Sequence, residues 1–95
     1  MINQRIKTRA SWFINEEMER VMGDLESGII SKDQAVGSLN TLFNISSGIE
    51  DVKHMQTICR IISYIRSTNQ YYQLKKMYLG NYFHEAAAED TKDII

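Results

Sequence analysis

The sequence predicts an all-α protein of four or five helices: a helical hairpin, a long amphipathic helix and a Tyr-rich C-terminal helix. Three observations support this prediction. None of the 95 residues is proline, the residue that most strongly disrupts a helix interior. Apolar residues recur every three or four positions through most of the chain. Short breaks that contain serine or glycine separate these periodic stretches.

The first helix is predicted from Gln4 to Glu26. On a helical wheel its apolar residues form one stripe, which consists of Ile6, Ala10, Phe13, Ile14, Met18, Val21, Met22 and Leu25. Glu16 and Arg20 lie on the opposite side, four positions apart, and we expect them to form an ion pair.

A hairpin turn follows this helix. Gly28 suits the residue just beyond the helix end, because glycine tolerates the left-handed conformation that is common there. Ser31 and Gln34 form a capping box that starts a second helix, predicted to end near Asn44. Ile29 and Ile30 are expected to plug the open end of the hairpin.

The third helix is predicted to begin at a second capping box, formed by Ser47 and Glu50. Its apolar positions run from Ile49 to Ile65 and do not alternate as those of a strand would. Cys59 lies on this apolar stripe, so we expect a small buried thiol.

The segment Ser67–Asn69 either starts a fourth helix or lies inside a continuous helix that ends at Leu79. The residues that follow are rich in tyrosine and apolar on several sides, which predicts burial against a second copy in a homo-oligomer. Asn81 is a candidate cap for a last helix from Tyr82 to about Glu89. Residues 1–89 are predicted to form one domain, and 90–95 a flexible tail.

The motifs of common catalytic sites are missing. His54 and Cys59 lie about 140° apart on the third helix and cannot face each other as a base and a nucleophile. His84 and Glu85 match the start of a zinc-protease motif, but Ala88 stands where the second ligand is needed. No glycine-rich phosphate loop or nucleophile elbow occurs. We therefore expect no enzyme, no metal site and no cofactor.

Charge is unevenly distributed, although the net charge is only −1. Acidic residues dominate from Glu16 to Glu26, whereas the segment from Val52 to His84 contains none. That basic, Tyr-rich segment suits either an acidic protein or the phosphates of nucleic acid. The candidate nucleic-acid contacts are Lys53, Arg60, Arg66, Lys75 and Lys76.

Trp12 falls opposite the apolar stripe of the first helix. Either it is an exposed interface residue, or the helix begins near Asn15 and Trp12 packs against the hairpin. The predicted partner-binding residues are Trp12, Tyr71, Tyr72 and Tyr78.

The function these features favour is that of a non-catalytic helical interaction protein, which binds and modulates a larger protein. An excess of Ile, Asn, Lys and Tyr suits AT-rich coding and suggests a phage or mobile-element inhibitor of a host or defence enzyme. The alternatives are a nucleic-acid-binding regulator that uses segment 53–84 and a structural subunit of an assembly. No apolar run approaches 18 residues, so we expect a cytoplasmic protein without membrane contact.

Overall fold

The computed structural model describes residues 3–80 together with 82 and 83, and this part of the chain is all-α. It forms four helices: α1 (Gln4–Glu26), α2 (Lys32–Gly48), α3 (Val52–Ser67) and α4 (Leu74–Leu79). α2 packs against both α1 and α3, and α4 lies on α1. The prediction of an all-α chain is confirmed, and no strand occurs within these residues.

α1 has the predicted bounds. Asn3 caps it, since the side-chain oxygen of Asn3 accepts a hydrogen bond from the amide of Ile6 at 3.1 Å. Five of its residues are buried in the core: Ile14, Met18, Val21, Met22 and Leu25.

The apolar stripe of α1 is only partly buried. The prediction that Ile6 and Phe13 belong to the core is wrong, because both side chains are about half exposed. They lie at one edge of a stripe about 180° wide, whereas the residues that reach the core span only about 100°. Phe13 borders α2 at the rim of a groove lined also by Thr41 and Ile45, where it stays half exposed.

The predicted hairpin turn is confirmed in detail. Gly28 has a φ of 74°, and both halves of the capping box form: the amide of Gln34 donates to Ser31 Oγ at 3.1 Å, and the amide of Ser31 donates to Gln34 Oε1 at 2.8 Å. Of the two isoleucines expected to plug the turn, Ile30 packs against the core but Ile29 is 70% exposed.

The corner between α2 and α3 differs from the prediction. α2 runs past Asn44 to Gly48, because the Ser46 hydroxyl donates to the carbonyl oxygen of Leu42 within the helix at 2.9 Å and needs no other partner. The predicted cap at Ser47 is wrong. Asp51 caps α3 instead, since its Oδ1 accepts from the amide of His54 at 3.2 Å.

Both corners nevertheless close with the same hydrogen-bond pattern. After α1, Gly28 is left-handed and the amide of Ile29 donates to the carbonyl oxygen of Asp24 at 2.9 Å. After α2, Glu50 is left-handed with a φ of 58°, and the amide of Asp51 donates to the carbonyl oxygen five residues earlier at 2.8 Å. The second corner therefore places a non-glycine residue in a conformation that favours glycine.

The buried face of α3 differs from the predicted one. Its buried residues are Thr57, Ile58, Ile61, Ile62 and Ile65. The expectation that Cys59 is buried is wrong, because the thiol is exposed and lines an open groove with Phe43 of α2. Thr57 takes the buried position because its hydroxyl donates to the carbonyl oxygen of Lys53 at 3.0 Å, within the helix.

The helix ends between α3 and α4 and does not continue through Ser67 to Leu79. Of the two predicted alternatives, a separate fourth helix is therefore the one observed. α3 ends at Ser67, and Thr68 is extended. Tyr82 and Phe83 are helical, and Phe83 is buried with its ring centroid 5.6 Å from that of Tyr64. The candidate cap Asn81, the rest of the predicted last helix and the tail 90–95 lie outside the described residues.

Candidate interaction surface

Trp12 lies in the third turn of α1 and points away from the core. Its side chain is 66% exposed, although the helix has already begun at Gln4. The alternative in which Trp12 precedes the helix is therefore wrong. An exposed indole on a regular helix is uncommon in a chain that closes its core without it.

Trp12 is the centre of a helix face with a simple charge pattern. Residues spaced alternately by four and three positions share one side of a helix. On α1 this spacing joins five residues, here called the outer face: Arg5, Arg9, Trp12, Glu16 and Glu19. All are exposed except Glu19, which is partly exposed. The outer face is thus basic before Trp12 and acidic after it.

The four charges of the outer face form no ion pair with any other described residue. The predicted pair of Glu16 with Arg20 is wrong, because Arg20 binds Glu17 at 2.9 Å and Asp24 at 3.2 Å instead. These contacts lower the pKa of Glu17, through its hydrogen bond with the guanidinium. Arg20 consequently leaves Glu16 without its expected cation.

A buried carboxylate lies beneath Trp12 and joins α1 to α3. Asp51 Oδ2 accepts a hydrogen bond from the hydroxyl of Ser11 on α1 and another from His54 Nδ1 on α3, the latter at 2.6 Å. Burial by itself would raise the pKa of Asp51. The hydrogen bonds from Ser11 and from the His54 amide and ring outweigh burial, so the pKa lies below its ordinary value.

This arrangement fixes the wall of a cavity of about 300 Å³ beside the indole ring. Six residues line it: Ser11, Trp12, Asn15, Lys53, His54 and Thr57. Because Nδ1 of His54 is bound to Asp51, the opposite edge of the imidazole is left for other contacts. The cavity therefore combines an aromatic face, an ammonium group and several neutral polar groups.

Ser11, Asp51 and His54 contain the residue types of a hydrolase triad, but their connections differ from one. In a triad the serine hydroxyl faces the imidazole, and the carboxylate holds the far side of that ring. Here Ser11 and His54 both bind the same oxygen of Asp51. The serine proton is thus directed to the carboxylate, and the contacts explain the packing of α1 on α3.

The predicted tyrosine anchors fall in three different environments. Tyr72 is 74% exposed on the connection before α4. Tyr71 is partly buried, and its hydroxyl donates to the carbonyl oxygen of Thr68 at 3.0 Å. Tyr78 is only 2% exposed, so its predicted place on a binding surface is wrong.

Tyr78 is a core residue because its hydroxyl finds a partner inside the protein. It donates to Asn15 Oδ1 on α1, which satisfies the one polar group of a buried ring. Burial raises the pKa of Tyr78, with the charge of Glu19 adding to the effect. The phenol therefore stays protonated and holds α4 against α1.

The five basic residues predicted to bind nucleic acid are dispersed. Lys53 and Arg66 stand at opposite ends of α3, about 20 Å apart along its axis. Arg60 Nη1 donates to the carbonyl oxygen of Phe83 at 2.7 Å. Lys75 and Lys76 lie on α4, and the amide of Lys75 donates to the carboxylate of Glu26.

The predicted binding residues Trp12 and Tyr72 are exposed, and their role in binding stays a prediction. Ser11, Asp51 and the outer face as a unit were not predicted. Asp51 could have been found, because Asp followed by His three positions later suits a helix cap that also binds the ring. The outer face has a regular spacing of four and three, but four of its five residues are charged, so the apolar periodicity that predicts the helix does not reveal it. The contact of Ser11 with Asp51 spans 40 positions and has no local signal.

Within the described residues, no group of three or more His, Cys, Asp or Glu side chains is placed to hold a metal ion. The same residues include no helix with the length and apolar character that crossing a bilayer requires. Comparison of the chain with known family models, curated proteins and solved structures finds no match.

Proposed function

We propose that this chain is a small non-catalytic interaction protein that binds and modulates a larger protein and also self-associates. The observation that supports this most directly is the exposure of Trp12, on a helix whose opposite side contributes five residues to the core. Tryptophan is among the residues that contribute most at protein interfaces, because it buries a large rigid surface. Its position outside a closed core favours a role in association over a role in folding.

Tyr72 supplies a second exposed aromatic ring, on the connection between α3 and α4. Lys53, beside Trp12, adds a cation that suits an acidic protein surface. The AT-leaning composition further supports an accessory role, such as inhibition of a host or defence enzyme by a phage or mobile element. A cytoplasmic location belongs to the same proposal.

The nucleic-acid alternative has weaker geometric support, because its basic residues occupy both ends of α3 and a separate helix. The salt dependence of binding affinity distinguishes this alternative from binding to a protein. Each phosphate contact lowers the logarithm of affinity by about 0.9 per decade of salt on duplex DNA. Tight binding to DNA or RNA at low salt, abolished by charge reversal of Lys75 and Lys76, would favour this alternative. The third reading, a structural subunit, predicts extended polymers in place of closed oligomers.

Affinity capture from the native cell extract tests the proposal, with bound proteins identified by mass spectrometry. Wild type is compared with the double variant Trp12→Ala/Tyr72→Ala and with Ile29→Ala, a matched change at an exposed apolar residue elsewhere. We expect wild type and Ile29→Ala to retain the same larger protein and the double variant to lose it at an unchanged melting temperature. Equal capture by all three proteins would show that the aromatic side chains are not the anchors.

A further inference from the structure

The outer face of α1 is complementary to itself when two copies run antiparallel. Its order along the helix is basic, basic, aromatic, acidic, acidic, as Arg5, Arg9, Trp12, Glu16 and Glu19 show. A two-fold axis that crosses α1 at Trp12 places Arg5 of one copy beside Glu19 of the other. The same axis places Arg9 beside Glu16 of the second copy and brings the two indoles together.

We propose that the outer face of α1 binds the outer face of a second copy of this chain, forming an antiparallel two-fold dimer centred on Trp12. The inference rests on the proposed function, because it treats Trp12 as a residue of an interface. It adds that the molecule bound there is a second copy of this chain. A two-fold interface uses the same patch on both subunits, so the patch must complement itself. A parallel pairing would set like charges against each other and is disfavoured.

The charges within one copy leave the outer face unbalanced. Arg5 and Arg9 are like charges four positions apart, and Glu16 and Glu19 are like charges three apart, spacings at which charges of one sign repel on a helix. None of the four has an ion pair among the described residues, because Arg20 binds Glu17 and Asp24. An antiparallel second copy gives each of them an opposite charge.

The surroundings of the outer face allow a second helix to approach. Four of its five residues are exposed, and Trp12 is the most exposed apolar residue of α1. Ile6 and Phe13, both about half exposed, lie to one side and add apolar area. On the other side Lys53 borders Trp12 in the cavity. The same spacing continues from Glu19 to Gly23, where the side chain of Lys75 on α4 lies close to α1, so the open part of the face ends at Glu19.

Complementary charge reversal tests the pairing by analytical ultracentrifugation. The variant Arg5→Glu/Arg9→Glu makes the outer face entirely acidic, and Glu16→Lys/Glu19→Lys makes it entirely basic. We expect wild type to dimerise at micromolar concentration in low salt, and each variant to lose at least about 100-fold in self-association. An equimolar mixture of the two variants is expected to regain the dimer. Lys76→Glu, a reversal on α4, serves as the control and should dimerise like wild type.

The proposal is overturned if wild type stays monomeric at hundreds of micromolar in low salt. It is equally overturned if folded variants, with wild-type circular dichroism and melting temperature, self-associate normally or fail to combine when mixed. A wild-type monomer whose partner capture still depends on Trp12 removes this inference and the proposed self-association, and leaves the proposed binding of a larger protein. If the protein forms the two-fold dimer but captures its partner without Trp12 and Tyr72, this inference stands and the proposed role of the two aromatic residues in partner binding fails.

Discussion

The two sides of α1 carry different chemistry on one helix. The inner side contributes five buried apolar residues to the core, whereas the outer face presents two cations, one indole and two anions to solvent. The inner side has neighbours on α2, α3 and α4, and the outer face has no ion-pair partner among the described residues. The inner side makes the chain fold, and we propose that the outer face makes it associate. Substitutions on the inner side should therefore change stability, and those on the outer face should change association.

The largest effect on stability is expected on the inner side. Met18 is fully buried, and its replacement by alanine leaves a cavity that costs about 2–5 kcal/mol in the free energy of unfolding. Urea denaturation followed by circular dichroism measures this loss. A cost below about 1 kcal/mol would mean that this side of α1 does not pack as described.

Asp51 is expected to give the next largest effect, because it joins the inner side of α1 to α3. Asp51→Ala removes the cap of α3 and leaves the Ser11 hydroxyl and the His54 ring without their shared partner. We expect a loss of about 2–4 kcal/mol. Ser11→Ala, which removes one donor and keeps the cap, should cost only about 1 kcal/mol. Equal losses in the two variants would show that neither the cap nor the contact with the His54 ring contributes.

The pH dependence of stability sharpens this assignment. The pKa of Asp51 is lower in the folded protein than its ordinary value, about 3.9 in the unfolded chain. Its contribution is therefore fully present above that ordinary value and is lost as pH falls through the lower folded value. Between pH 6 and pH 2 the wild type should lose more stability than Asp51→Asn. Parallel curves for the two proteins would contradict the assignment.

The two corners predict a smaller effect of opposite sign. Glu50 is left-handed where the equivalent position after α1 is Gly28. Relief of the left-handed strain outweighs the extra chain entropy of glycine, so Glu50→Gly should stabilise the protein by about 0.5–1 kcal/mol. Gly28→Ala should destabilise it by about 1–2 kcal/mol. Thermal unfolding of both variants checks the comparison, and destabilisation by Glu50→Gly would show that its side chain makes a contact that matters.

The sequence predicted those parts of the fold that have local causes. The bounds of α1, the left-handed Gly28 and the capping box at Ser31 follow from spacing and turn chemistry within a few residues. The cap at Asp51 was missed because Ser47 and Glu50 offered an equally good local pattern. The choice between them depended on α2 continuing through Ser46.

Errors about burial have a different origin. Cys59 and Phe13 lie on apolar stripes wider than the contact that one bundle can make. Which edge of such a stripe is covered depends on where the neighbouring helices lie, and periodicity does not contain that information. Tyr78 was placed on the surface because its segment lacks a stripe, whereas its contact with Asn15 comes from 63 positions away.

We propose that the outer face of α1 serves association and not folding, and the variant Trp12→Ala separates the two roles. Thermal unfolding and sedimentation are measured on the same samples, with Met18→Ala alongside. We expect Trp12→Ala to change the free energy of unfolding of the monomer by no more than about 0.5 kcal/mol and to weaken dimerisation clearly. A loss of several kcal/mol in monomer stability, with dimerisation intact, would make Trp12 a core residue and contradict the claim.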